Sequence, residues 1–370
     1  MLKLDVTLKN NNDGSEEQMH AVAKQIPDNE FTQKVFNTQV TYKNEIAMYA
    51  TIMPTLQMFQ KEHGVHEVID CYPKLYGARI NLHDKGDIVD ENAVILLENL
   101  FASGYSNIDR HVGFDLETAQ LILKDLAAFH AVPLALKLKK PEVFDKKVKP
   151  YLTPFIPPTS PENEETKESM ETVMVEMLKE SVKCIPFISK IEEALERSKN
   201  RTHASPPREP FATVTHGDMW VNNTLIKFEN GKPIKNKLVD FQVCDYKSPA
   251  TDLFFFLFTS VQKPVLEEYL DELVQFYHRH FISHLEKLHC DIVPFSFDNF
   301  LEEMRLGAAA EITHTLIMIV FIVLAKKGGF SGDMDPDKPP DFDKMRKNMR
   351  NEAKEKAQFM IQLCGNRRWL

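Results

Sequence analysis

The 370-residue sequence has no excess of positive charge, no paired-cysteine spacing and no apolar run long enough to cross a membrane. Its formal net charge of −9 excludes a general nucleic-acid binder, which would carry a basic face. The five cysteines, Cys71, Cys184, Cys244, Cys290 and Cys364, are odd in number, far apart and without C-x-x-C spacing. They read as free thiols of a reducing compartment, not as a disulfide framework or a zinc site. The N-terminus, Met1-Leu-Lys-Leu-Asp-Val-Thr-Leu-Lys9, lacks the apolar centre of a signal peptide. The most apolar stretch, Leu316 to Ala325, is about half of the roughly 20 residues that a bilayer needs, so it reads as a buried helix. The cytoplasm is the expected location. No internal repeat is visible.

What the chain does have is an ordinary soluble composition, 43% hydrophobic and 27% charged, and enough length for two lobes and a large core. Residues 1–9 alternate apolar and polar as a half-exposed strand does, and Gln18 to Ile26 reads as a second strand closed by Pro27. Phe31 to Phe59 has helical spacing, with Phe36, Val40, Ile46 and Tyr49 facing inward and a break at Pro54. Val68 to Leu75 and Ala93 to Leu97 are further strand candidates. A small α+β lobe is therefore expected over 1–98, and a larger, mainly helical lobe over 99–370. In the second, Leu116 to Ala131 reads as an amphipathic helix and the proline-rich 148–168 as irregular. Pro206, Pro207 and Pro210 precede a strand. Helices are expected near 250–262, 264–288, 298–325 and 341–362.

The chemistry is concentrated in Thr213-Val-Thr-His-Gly-Asp-Met-Trp-Val-Asn-Asn223 and Leu238-Val-Asp-Phe-Gln242. A hydroxyl nucleophile needs a carboxylate base within hydrogen-bond reach, and a magnesium-bound triphosphate needs hard oxygen ligands. Asp218 fits the base, while Asn223 and Asp240 fit the metal ligands. Two strand-forming segments, Thr224 to Phe228 and Lys237 to Val239, can return Asp240 to Asp218 as a hairpin. His216 is expected to brace the loop backbone. Gln242 stands where protein kinases have a glycine, which favours a fixed metal loop over a mobile switch. Asp252 opens an aromatic helix, as an N-cap or as a brace of the catalytic loop. In the small lobe, a lysine on the strand Ala21-Val-Ala-Lys-Gln-Ile26 can point into a cleft. Lys24 would reach phosphates there if Glu45 orients it. Leu96-Leu-Glu-Asn-Leu100 closes that lobe as a hinge whose backbone can meet adenine.

Taken together, these residues resemble the insect ecdysteroid-kinase-like (CHK-kinase-like) family, related to choline kinases and aminoglycoside phosphotransferases. The resemblance also includes Asn44-Glu-Ile-Ala-Met-Tyr49, Gly104-Tyr105, Leu126-Ala-Ala-Phe-His130 and Ser248-Pro-Ala-Thr-Asp252, and it spans nearly the whole chain. It implies a bilobal, protein-kinase-like α+β fold and an ATP- and Mg²⁺-dependent transfer to a small hydroxylated molecule. Asp218 would be the catalytic base, and Asn223 and Asp240 would hold magnesium. Lys24 and Glu45 would anchor phosphates, with Glu98, Asn99 and Leu100 at the nucleotide hinge. Family activities are phosphorylation of ecdysteroid hydroxyls and a wider role on xenobiotic and dietary compounds, that is, detoxification. One departure is that the chain starts at the strand placed at 2–9, without the preceding strand and Gly-rich loop. That favours an alternative, a catalytically impaired or non-catalytic kinase-fold binding protein. A metal hydrolase is the weaker third reading, because no second His/Asp cluster completes a metal pair. The 25 phenylalanines could line an apolar acceptor cleft, but filling the large lobe's core is the stronger expectation.

Overall fold

A computed structural model of the chain describes residues 1–9, 13–83, 86–154, 161–199, 207–323 and 349–370. The N-terminal part is a four-stranded antiparallel sheet in the order β1-β2-β4-β3. Strand β1 (Leu2–Lys9) pairs along its length with β2 (Glu16–Gln25). Strand β4 (Val94–Glu98) pairs with Ala21–Gln25 of β2 on one side and with β3 (Leu75–Arg79) on the other. The expected half-burial of β1 does not occur. Leu2, Leu4 and Leu8 are exposed, because this edge strand has no layer packed over its face.

The helical segment is divided. Helix α1 (Glu30–Val35) ends before Asn37, whose left-handed backbone separates it from α2 (Thr38–Ala47). A π-helical turn at Met48–Ile52 leads into α3 (Met53–Glu62), with Pro54 in its first turn. Phe36 lies in the turn between α1 and α2 and is exposed, not inward; Tyr49 is buried, and Val40 and Ile46 are half-buried. The buried residues of α2 are mostly polar: Thr38, Thr41, Tyr42, Asn44 and Glu45, with Ala47. The Tyr42 hydroxyl donates to the Lys24 carbonyl at 2.8 Å and fastens α2 to β2 beside the lysine. Residues 68–74 are not a strand. Their carbonyls serve the second lobe instead: Cys71 O accepts from Leu238 N at 2.7 Å, and Asp70 O accepts from Lys237 Nζ at 2.6 Å.

After β4 the chain turns through Asn99–Gly104 into the larger part. The short β5 (Tyr105–Ser106) joins a sheet ordered β5-β7-β8, where β7 (Thr224–Glu229) and β8 (Lys232–Leu238) form the expected hairpin. A second ribbon pairs β6 (Thr213–Thr215) with β9 (Asp245–Lys247). Helix α4 (Leu116–Lys139), capped by Asp115, runs longer than expected and is not amphipathic. It is buried on every side from Leu126 to Leu136, because β6 and β8 pack on it as well as a later helix. Helix α5 (Pro141–Lys147) follows. Residues 155–160 lie outside the described set, and α6 (Pro161–Lys179) replaces the end of the expected irregular segment, with its proline in the first turn. Then come α7 (Ile188–Lys199), α8 (Pro249–Ser260), α9 (Lys263–Lys287), α10 (Phe297–Ile317) and α11 (Asn351–Asn366). The expected helix start at 341 falls outside the described residues. Every residue of α8 is buried, so its phenylalanines fill the core. Among the described residues no helix is long and apolar enough to cross a membrane. The architecture is the expected α+β one: a small antiparallel sheet with three helices, then a larger helical part.

Candidate active site

The loop after β6 turns at Gly217, whose φ is +78°, and a Cβ there would collide with the Val243 carbonyl oxygen. Glycine meets both demands. The loop backbone is held from below by Asp252 of α8, which accepts from His216 N at 2.5 Å and Gly217 N at 2.9 Å. Asp252 is therefore the brace and not the helix cap; Ser248 is the N-cap residue of α8. His130 of α4 lies 3.0 Å from Asp252 through Nε2, and its Nδ1 lies 2.7 Å from the Tyr277 hydroxyl of α9. The satisfied assignment has Nε2–H donating to the carboxylate and the phenol donating to Nδ1. Burial opposes the Asp252 charge, but His130 and His216 outweigh it and hold the carboxyl below its usual range.

His216 braces the loop, as the sequence suggested: its Nε2 donates to Val239 O at 3.0 Å, and Asp218 N donates to its Nδ1 at 3.4 Å. Asn223 Nδ2 donates to both the backbone O and Oδ2 of Asp218, each at 2.8 Å. Its carbonyl accepts from Val239 N at 3.0 Å, which ties the loop to the end of β8. Burial raises the Asp218 carboxyl, against the pull of His216, His314 and the Asn223 hydrogen bond.

Asp240 follows with φ +69°, so the left-handed residue is the aspartate itself. Gln242, which stands where protein kinases have a glycine, sits in a 3₁₀ turn over Phe241–Val243. A short polar side chain makes this conformation accessible to aspartate. Phe241 is buried between the lobes, edge-on to Tyr49 at 5.3 Å and stacked on Phe129 at 5.8 Å.

Lys24 reaches across from β2. Its Nζ lies 2.6 Å from Glu45 Oε2 and 2.7 Å from Asp240 Oδ1, joining residues 216 positions apart in the chain. Burial works against its charge, but the two carboxylates prevail and raise its pKa. Burial likewise pushes the Glu45 carboxyl up to about 7, and its Oε1 is buried without a partner. At the hinge, Glu98 accepts from Ser103 Oγ at 2.6 Å, and Asn99 N donates to His20 O at 3.0 Å. Leu100 packs with Tyr105, Leu225 and Val239. Glu98 lines a cavity of about 750 Å³ with Tyr72, Lys74, Tyr105 and Lys237; none of Lys24, Asp218, Asn223 or Asp240 lines it.

The structure brings together Lys24, Glu45 and Asp240 as one group and Asp218 with Asn223 as another. Val239 hydrogen-bonds to His216 and Asn223 between them. Among the described residues no cluster of three His, Cys, Asp or Glu side chains could hold a metal ion. The donors left are the Asp240 carboxylate and the Asn223 amide oxygen, both hard. Such a sparse oxygen set fits magnesium, which keeps several waters and phosphate oxygens. Sequence reasoning gave no role to His130, Tyr277, Tyr42 or His314. His130 stood within a segment of family resemblance, but nothing linked it to a tyrosine 147 positions on.

No curated protein matches the chain. Among solved structures it is similar to an ethanolamine kinase of Plasmodium vivax, at 11% identity and a TM-score of 0.36 over 97% of this chain and 80% of that one. It is also similar to the spectinomycin phosphotransferase APH(9)-Ia in complex with ADP and spectinomycin, at 12% and 0.41 over 97% and 93%. A microcompartment-associated aminopropanol kinase gives 10% and 0.36 over 98% and 90%. The sequence profile of the ecdysteroid kinase-like family matches residues 1–290, which include the whole Lys24–Asp252 constellation, and the chain belongs to that family.

Proposed function

We propose that the chain is an ATP- and Mg²⁺-dependent kinase that phosphorylates a hydroxyl of a small molecule, an ecdysteroid-like or a xenobiotic or dietary compound. The observation that carries this reading is Lys24 held between Glu45 and Asp240 at 2.6 and 2.7 Å. A cation aimed into the cleft beside a left-handed aspartate suits a phosphate chain with its counter-ion.

In this reading Asp218 orients the acceptor hydroxyl and takes its proton. Asn223 keeps the Asp218 carboxylate turned toward the acceptor through its Nδ2 hydrogen bond, and its free Oδ1 joins Asp240 as a metal ligand. Magnesium, when bound with the nucleotide, would neutralise charge on the phosphate oxygens. Lys24 steadies the phosphates, and the backbone of Glu98, Asn99 and Leu100 borders the base. Most of the acceleration comes from positioning and charge stabilisation, as phosphoryl transfer leaves little covalent work to the protein. All five cysteines are free, which agrees with work in the cytoplasm.

Asp218→Asn tests the assignment. It is expected to keep nucleotide affinity and lose about 10²–10⁴ in kcat, the usual share of a general base. A variant with undiminished turnover on an ecdysteroid or other hydroxylated acceptor would remove Asp218 from the role.

A further inference from the structure

Helix α10 approaches α8 unusually closely. At Gly307 an added Cβ would sit 2.9 Å from the Ala250 Cβ and 3.1 Å from its carbonyl carbon. One and two turns further along α10, on the same side, come Glu311 and His314. The His314 ring lies flat on Phe255 of α8, with centroids 4.6 Å apart and planes 15° apart. Its Nδ1 is 3.2 Å from Glu311 Oε2. One ring face and one nitrogen are thus committed, and Nε2 has no hydrogen-bond partner among the described residues. The side chain is nonetheless 47% exposed. Its surroundings are those of the catalytic loop. Phe255 stands one turn after Asp252 on α8, and Asp252 accepts from His216 N and Gly217 N of that loop. A plain solvated Glu–His pair on a helix surface would not need a buried aromatic ring beneath it, one turn from the residue that braces the loop.

We propose that His314 is an acceptor-binding residue: with Nδ1 held by Glu311 and one face on Phe255, its Nε2 contacts a second oxygen of a substrate whose reacting hydroxyl lies at Asp218. This rests on the kinase reading for the identity of the acceptor and deepens it to a substrate class, molecules with at least two hydroxyl or carbonyl oxygens. With its proton on Nδ1, the imidazole accepts from a hydroxyl at Nε2; when doubly protonated it donates to a carbonyl. One positioned hydrogen bond of this kind is worth about two- to tenfold in acceptor affinity from a neutral imidazole and up to about a hundredfold from a charged one.

The test uses the full chain with ATP, Mg²⁺ and ecdysone, a polyhydroxylated steroid, as probe. His314→Ala should raise KM for ecdysone by about two- to tenfold, and by up to about a hundredfold where the imidazole is charged, with a far smaller change in kcat and none in KM for ATP. His314→Gln, whose terminal amide can occupy the place of Nε2, should recover most of the loss. An unchanged KM for ecdysone in the alanine variant overturns the proposal. So does an equal loss in every parameter together with a lower Tm, or a glutamine variant no better than alanine. Independently, the Cε1–H signal of His314, assigned by its absence in His314→Gln, should shift when ecdysone is titrated without nucleotide. If no phosphate is transferred but this signal moves, the kinase reading fails while the acceptor contact stands. If there is neither transfer nor shift, the acceptor contact is overturned.

Discussion

Asp218 carries its charge under strain from its surroundings. Burial holds its carboxyl above the ordinary aspartate value of 3.8, with His216, His314 and Asn223 compensating in part. If Asp218 is the base as proposed, its protonation abolishes its capacity to accept the acceptor's proton, and activity falls as pH drops through that raised value. The acid limb of the kcat profile is therefore expected above pH 3.8, and a limb at or below it would show that the base lies elsewhere. At this scale the sequence was informative about which residues meet: Lys24 with Glu45 and Asp240, and Asp218 with Asn223, were legible from residue type and spacing. Asp252 was legible as a brace only in outline. Its partner His130 is 122 positions away, and a hydrogen bond between two helices leaves no periodic trace in either.

Among the elements, α11 holds a group whose setting is unusual. Lys356 is buried with no carboxylate beside it among the described residues, and its Nζ donates to Val261 O at 2.7 Å and Thr259 O at 3.3 Å, at the C-terminal end of α8. The ammonium thus serves carbonyls that the helix leaves unpaired. Burial pushes its pKa from 10.5 down to about 7. Because the folded value is the lower one, the unfolded chain binds more protons between these two values, and stability rises with pH across that window. Relative to Lys356→Met, the wild-type protein should gain about 2 kcal/mol between pH 7 and pH 9. Urea unfolding of both at the two pH values measures it; parallel stabilities would show that folding does not lower the Lys356 pKa. Elements were well read where period and burial agree, as in the β7–β8 hairpin and the helices from α8 onward. They were misread where burial departs from polarity. Helix α2 buries threonine, asparagine and glutamate on the face where Glu45 meets Lys24, and α4 has no polar face because it is covered on all sides.

For the molecule as a whole, the residues of the proposed site come from both lobes: Lys24 and Glu45 from one, Asp240 and Asn223 from the other. A ligand that bridges them should stabilise the entire fold. Saturation with ATP and Mg²⁺ at 100 times Kd corresponds to about 2.7 kcal/mol, visible as a raised Tm. Lys24→Met should lose most of that rise, and a rise of equal size in the variant would separate nucleotide binding from Lys24. The two-part layout was legible because strands gather early in the chain and helices late. The seam was not, since the backbone bonds from Cys71 and Asp70 to β8 involve carbonyls that any residue supplies.

That seam limits how the cleft can breathe. With the segment ahead of β3 stitched to Leu238 and Lys237, tilting of the small lobe as a single plate would have to break those bonds. Residues Glu16–Met19 of β2, by contrast, have β1 beside them and no second neighbouring strand among the described residues. Any opening of the small lobe is therefore expected to begin at this outer end of β2. Amide exchange should report it directly, fast at Met19 and slow at Leu238; comparable protection at both would mean the lobe moves as one.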